Sequence, residues 1–397
     1  MLGCLAGCGS SNSNSVSSAG CTTCSTNGTK YVAVADGNGR VLIFDESLGT
    51  GESASYVLGS STFTQLGSGI GQSGMNMEAG LAFDSSGNLY VADLGNNRVL
   101  QFAPPFSNGM NASVVFGQSN FTTYSSSSTA SGFTHPVGVA SDASGNLWVA
   151  DGSNNSRVLE FKTPFTSGMS ATVAIGQTST STTQGCNKGG VGSSVGSVNP
   201  TAGTLCGASA MAFDSSGNLW IADSGNNRIL EYAAPFSNGM AATLELGHAA
   251  GANAFSTYMA NDGGSVAGGT FWNPTGLAFD AHGDLWVADN GNNRVLEFVP
   301  PFSNGMAATV AVGQPDLTHN SHQSASLSSL SQPPDVAFDS SGNLLVTDSS
   351  NARVMVFAPT FTSGMNASMV LGQQNYTSTS CSLAANSICV PGGVATY

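Results

Sequence analysis

The stretch LYVADLGNNRVLQF, residues 89–102, decides the fold, because the chain repeats it. It returns as LWVADGSNNSRVLEF at 147–161, LWIADSGNNRILEY at 219–232, LWVADNGNNRVLEF at 285–298 and LLVTDSSNARVMVF at 344–357. In each copy two short apolar runs flank a Gly- and Asn-rich loop, the pattern of a hairpin. Around it the units extend over 80–118, 136–177, 208–248, 274–314 and 333–373. Their consensus is P-x-G-L-A-F-D-S-S-G-N before the hairpin and A-P-P-F-S-N-G-M-x-A-T-V-x-x-G-Q after it. A sixth copy is split. YVAVADGNGRVLIF at 31–44 lacks a first strand, and PGGVA at 391–395 supplies one. A repeat divided between the termini is what a ring needs to join its ends.

Each unit predicts four strands. In the first complete copy they lie at 81–83, 89–92, 99–102 and 112–117. The turn Asp84-Ser85-Ser86-Gly87-Asn88 joins the first two, with Gly free to take positive φ and Asp able to bond its own backbone. Pro104 and Pro105 end pairing of the third. No window shows helical periodicity. The expected fold is all-β: a six-bladed β-propeller of four-stranded antiparallel blades, closed by N- and C-terminal strands sharing one blade. A chain of 397 residues would ordinarily divide into domains. Radial repetition avoids this, because each blade buries its faces only against two neighbours. One domain is expected over 30–397, behind a leader at 1–29.

Within the leader, LAGC at 5–8 resembles the lipobox of bacterial lipoproteins, with Cys8 as the lipidated residue and 9–20 as a flexible tether. Only four residues precede this box, whereas a signal peptide needs a basic region and roughly 7–15 apolar residues, so the true start is expected upstream. No run elsewhere reaches the ~18 apolar residues of a membrane span. The cysteines agree with an extracytoplasmic address, as a cell-envelope lipoprotein or a secreted protein. Cys186 and Cys206 bracket a Gly-rich insert and are expected to pair. Cys21, Cys24, Cys381 and Cys389 pair either locally or across the ring seam. The C-x-x-C at Cys21 has no second C-x-x-C or nearby His to make a zinc or redox site.

Charge narrows the partner class. Six of the nine Lys and Arg residues are the single Arg of each repeat, set four to six positions after a repeat Asp. The pairs are Asp36 with Arg40, Asp93 with Arg98, Asp151 with Arg157, Asp223 with Arg228, Asp289 with Arg294 and Asp348 with Arg353. They are expected to be structural, tying each loop shut or bonding the adjacent blade. Only Lys30, Lys162 and Lys188 remain, too few to displace phosphate counterions, so nucleic acid is excluded as a partner. A net charge of −14 also opposes anionic membranes, leaving a lipid anchor as the only membrane attachment.

The pattern L-Y-V-A-D-x-G-N-N-R-V-L at 89–100, with its equivalents, resembles the NHL-repeat β-propellers over nearly the whole chain. The resemblance implies the fold and leaves function open, since such propellers include recognition modules, sensor domains, lyases and lactonases. RNA-binding relatives use basic faces that this chain lacks. Amidating lyases use a histidine-rich zinc centre, whereas the five His here occupy unrelated repeat positions.

Propeller topology puts the inter-blade connections, 119–135, 178–207, 249–273, 315–332 and 374–390, on one face. Variable loops on a rigid scaffold are where function concentrates. Tyr124, Phe133, Tyr258, Phe271 and Trp272 stand there among Ser, Thr and Asn, a mixture suited to a peptide, glycan or protein partner. An alternative site comes from residues that break the repeat near the channel mouth: Glu78, His135, Asn273 and Asp335. Their oxygens suit Ca²⁺, and gluconolactonase-like propellers hold a divalent metal in a comparable place, where it could polarise a lactone carbonyl. Four ligands are few for Ca²⁺, and no further cofactor is implied. The sequence therefore favours a non-enzymatic binding or scaffold propeller over a metal-dependent lactonase or lyase, and over a self-assembling structural subunit.

Overall fold

The computed structural model describes residues 30–397 apart from 68, 153–154, 183, 190–197 and 252–253, so Cys8, Cys21 and Cys24 lie outside the described residues. Its strands form six four-stranded antiparallel sheets. Five of them follow chain order. The remaining one, the first blade in chain order, takes its innermost strand, Val394–Thr396, from the C-terminus and its other three, Tyr31–Ala35, Val41–Asp45 and Tyr56–Leu58, from the N-terminal side. Val394 stands opposite Val34, Ala395 opposite Ala33 and Thr396 opposite Val32. The innermost strands of consecutive blades touch in a closed cycle around the axis.

Alternation along each strand sends apolar side chains to both faces of a blade, so the core lies between blades. Six buried clusters result, one for each pair of neighbours. The largest rings sit on the second strands, where Tyr90, Trp148, Trp220 and Trp286 are fully buried. Trp148 meets Phe213 and Phe236 of the following blade edge-on, at centroid distances of 5.8 and 4.8 Å. Its indole N–H donates to Asp142 at 3.2 Å. The other oxygen of Asp142 accepts the N–H groups of Ser144 and Asn146, so the repeated Asp-x-x-Gly-Asn turn also anchors the ring packed above it.

Close approach at the axis explains the innermost-strand glycines. A Cβ on Gly138 would stand 2.2 Å from the carbonyl oxygen of Ser209, and one on Gly80 2.6 Å from that of Val137. Neither position leaves room for a side chain. Between the second and third strands of four blades the loop makes one 3-10 turn, as at Leu94–Asn96, where it ends on Asn97 at φ 53°, a left-handed conformation that Asn tolerates.

Candidate binding face

The repeat Asp and Arg build the face that carries the long connections. All twelve residues of the six pairs are fully buried. Arg228 donates from Nε to Asp223 at 2.8 Å, while its other nitrogens reach Thr201 O and Thr204 O, each at 3.0 Å, and Phe255 O at 3.0 Å. The first two carbonyls belong to the connection entering the blade and the third to the one leaving it. Arg98 and Arg294 repeat the arrangement. The second oxygen of Asp223 accepts the N–H of Cys206 at 2.6 Å, and Asn226 donates to the first at 2.8 Å. Each pair thus closes its own loop and also clamps two connections. Burial pushes Asp151 up to about 6, against the pull of Arg157, the N–H of Thr134 and Asn155, so this clamp is charged at neutral pH.

A second staple closes the outer strand. Gln118 donates to Asn97 O at 2.9 Å and to Ser125 O at 2.8 Å, and Gln314 and Gln373 do the same in their blades. His248 replaces Gln in the fourth blade and instead pairs its Nδ1 with Glu245 at 2.6 Å. Disulfides add two local ties, Cys186–Cys206 and Cys381–Cys389. The latter is a local pairing beside the seam.

Of the five aromatic candidates, the structure exposes two. Tyr124 is 57% and Trp272 48% exposed, while Tyr258 is half-buried. Phe133 and Phe271 are fully buried. Phe133 fills the space over Gly117 and meets Phe161 at 5.7 Å, and Phe271 meets Phe298 at 5.6 Å. These two rings seat the connections on the blades and offer no contact surface. Sequence did not reveal their neighbours: aliphatic side chains joining Tyr124 and Trp272 on the same face. Among the described residues eleven large hydrophobics are exposed, and nine lie on inter-blade connections. They are Leu66, Ile70, Met77, Tyr124, Val198, Met259, Trp272, Leu327 and Val390, so every connection contributes.

Carboxylates follow the opposite distribution. Of the seventeen acids outside the clamps, twelve lie at or beside the turns of the other face. Only Asp262 and Asp316 stand on connections, and Glu78, Glu245 and Asp335 lie in the interior. The ring therefore has an acidic face and an apolar, nearly uncharged one.

The proposed metal ligands do not form a set. His135 and Asn273 occupy equivalent rim positions before different innermost strands, at φ 54° and 53°, and both are exposed. Glu78 is buried, with 4% exposure, between the first two blades, where one oxygen accepts the N–H of Arg40 at 3.0 Å. The reason lies in the first blade's loop, which separates Asp36 from Arg40 by four positions where the next has five. In three of the other loops a left-handed Asn accepts an N–H from the following blade: Asn97 from His135 at 2.9 Å, Asn227 from Asn273 at 2.7 Å and Asn293 from Gln332 at 2.9 Å. The shortened loop has no such Asn, and Glu78 makes the stitch from the other side. Burial pushes its carboxyl up to about 7. Asp335 lies deeper, on the channel wall. Among the described residues the group whose ligand atoms all fall within 4.8 Å is a different one, Asp280, His282 and Asp284 on an acidic-face turn. Its sequence signal is D-A-H-G-D where the other complete units read D-S-S-G-N or D-A-S-G-N.

Five stretches, 79–102, 133–161, 205–232, 271–298 and 330–357, match the NHL repeat. The chain is an NHL-repeat β-propeller. The matches fall on five blades of this propeller, and the remaining one, the first blade, is divided between its termini. No curated protein matches it. Among solved structures, a protein of unknown function from Bacteroides caccae aligns with TM-score 0.50 and 8% identity, over 93% of this chain and 99% of that one. Streptogramin B lyase aligns with TM-score 0.40 and 10% identity, over 84% and 71%. Virginiamycin B lyase from Staphylococcus aureus gives 0.42 and 13%, over 84% and 83%. At such identities these likenesses speak to the fold alone.

Proposed function

We propose that this propeller is a non-enzymatic binding protein that recognises an uncharged surface of a peptide, glycan or protein through its long-connection face. The observation that carries the reading is the division of the surface: among the described residues, nine of eleven exposed large hydrophobics lie on the connections and twelve of seventeen unclamped acids on or beside the opposite turns. Apolar residues contributed by every inter-blade connection, including 59–77, and held by buried clamps give this face the exposed apolar surface that interaction sites use. Tyr124 and Trp272 supply rigid rings suited to a sugar face or an apolar side chain. The acidic face turns anionic surfaces away and so orients the molecule. The two disulfides are consistent with an extracytoplasmic location, and lipidation at Cys8 would tether the ring outside the cell.

The test is a screen of the full chain against immobilised neutral glycans and peptides, followed by the double variant Tyr124→Ala, Trp272→Ala. A ligand whose binding falls at least about tenfold in the variant, with unchanged thermal unfolding, supports the proposal. Equal binding by variant and wild type overturns it, as does binding abolished by changes on the acidic turns.

A further inference from the structure

On the axis, just inside the rim, the innermost strands enclose a cavity of about 200 Å³. Each strand contributes the apolar side chain of one repeat position to its wall, Leu81, Val139, Met211, Leu277, Val336 and Val394, and Ala79, Val137, Ala210 and Pro334 add to it. One position along, the strands carry Gly80, Gly138, Ala210, Gly276 and Gly393, and only the sixth blade departs, with Asp335. Asp335 is the sole ionisable side chain among the lining residues; the other five innermost strands bring none. Ser209 and Thr275 also line the cavity, but their hydroxyls are engaged with the carbonyls of Pro274 and Pro333.

Every fully buried Asp on this side of the ring has an Arg, whereas Asp335 is half-buried and lines the cavity. Asp335 has no cationic side chain within ion-pairing distance among the described residues. One oxygen accepts the N–H of Val394 at 3.0 Å, and the other turns towards Gly276, where an added Cβ would come within 2.8 Å. Backbone N–H groups orient the carboxylate and do not neutralise it. A carboxylate that faces a cavity without a cationic neighbour is neutralised either by a proton or by a cation inside that cavity. A divalent metal is a poor match, since Ca²⁺ takes 6–8 oxygens and the remaining wall is largely hydrocarbon. A cation with an apolar body matches both parts.

We propose that the axial cavity binds a small primary aliphatic amine, its ammonium group on Asp335 and its alkyl chain against the ring of Leu81, Val139, Met211, Leu277, Val336 and Val394. This site is separate from the loop-face reading and stands without it. Burial pushes the Asp335 carboxyl up to about 7, with the N–H groups of Val394 and Val336 pulling it partly back. The empty site is therefore half-protonated near neutral pH, and amine binding strengthens as pH rises through that range while the amine stays charged.

The test is calorimetric titration of the full chain with n-butylammonium chloride, in buffer containing enough NaCl to screen the acidic face, at pH 8 and pH 5.5. n-Butanol serves as the neutral counterpart and Asp335→Asn as the variant. One saturable site is expected at pH 8. Affinity should be about 30-fold weaker at pH 5.5, the ratio of ionised carboxyl at the two pH values for a group near 7. It should be lost in Asp335→Asn and with n-butanol. No saturable heat at pH 8 overturns the proposal; so does equal affinity at the two pH values, for n-butanol or for the variant. The pH and butanol comparisons use wild-type protein, so they decide the question even if the variant does not fold.

Discussion

Replacing Glu78 by Gln will flatten the pH dependence of the ring's stability, by an amount the structure sets. Glu78 is buried at the seam between the first two blades. One oxygen accepts the N–H of Arg40, and the other has no hydrogen-bond partner among the described residues. Desolvation is the main reason its carboxyl rises from 4.5 to about 7, and the nearby Asp36 adds to it. The folded state therefore holds this proton over a range in which the unfolded chain has released it. Stability then falls as pH rises: the loss begins near 4.5, where the unfolded group ionises, and is complete above 7, where the folded group has ionised too. Between pH 4.5 and pH 8 this amounts to about 3 kcal/mol. Entropies of ~2.1 cal/mol/K per residue make that a shift of about 4 °C for a chain of this size. The Gln oxygen can still accept from Arg40, and whatever the buried amide costs is independent of pH. Thermal unfolding of wild type and Glu78→Gln, followed by circular dichroism from pH 4.5 to pH 8, should show Tm values that diverge by about 4 °C in favour of the variant as pH rises. Curves that stay parallel would refute the account of Glu78 as an ionisable stitch.

Two further outcomes follow from the clamps and the seam. Arg228→Ala leaves Asp223 buried without its cation and three connection carbonyls without a donor, so a loss of about 3–5 kcal/mol is expected by chemical denaturation; a loss under about 1 kcal/mol would mean that the pair is not energetically buried. Deleting 391–397 removes the strand paired with Val32 to Val34 and uncovers two blade interfaces, so the whole ring should unfold in one transition at lower temperature. Unfolding unchanged by the deletion would show that closure does not depend on this strand.

The features legible in the sequence are those that the repeat enforces by number. Six copies, one split, fix the ring and its seam. An Asp and an Arg recurring four to six positions apart in a chain with only nine basic residues read as buried pairs, because charge used so sparingly and so regularly is structural. What the clamp holds was not legible. Its acceptors are main-chain carbonyls of connections that differ in length and sequence, so no residue type marks them. For the same reason Phe133 and Phe271 could not be told from Tyr124 and Trp272: ring identity does not say which way a loop side chain turns. The burial of the first two follows from the missing side chain at Gly117 and its equivalent Gly247, which leaves a slot that a ring fills.

Departures from the repeat are the most ambiguous class, and Glu78 and Asp335 show why. Both are acids where other units carry Pro, Gly or Ala, both are raised to about 7 by burial, and both read as metal ligands from their place near the channel. Glu78 is accounted for by a second departure, the shortened Asp36 to Arg40 loop, whose lost stitch it replaces. That compensation is visible in the sequence once the two are placed side by side, since the change lies in the preceding blade at the position the carboxylate touches. Asp335 has no such counterpart. The loop of the preceding blade keeps the five-position spacing of Asp289 and Arg294, their ion pair is intact at 2.8 Å, and its Asn293 still accepts the N–H of Gln332 at 2.9 Å. The bond from Val394 to its carboxylate needs an acceptor and does not need a charge. A repair explains the first acid completely, whereas the second retains a charge that the fold does not use, and the cavity it faces is the one place where a ligand could use it.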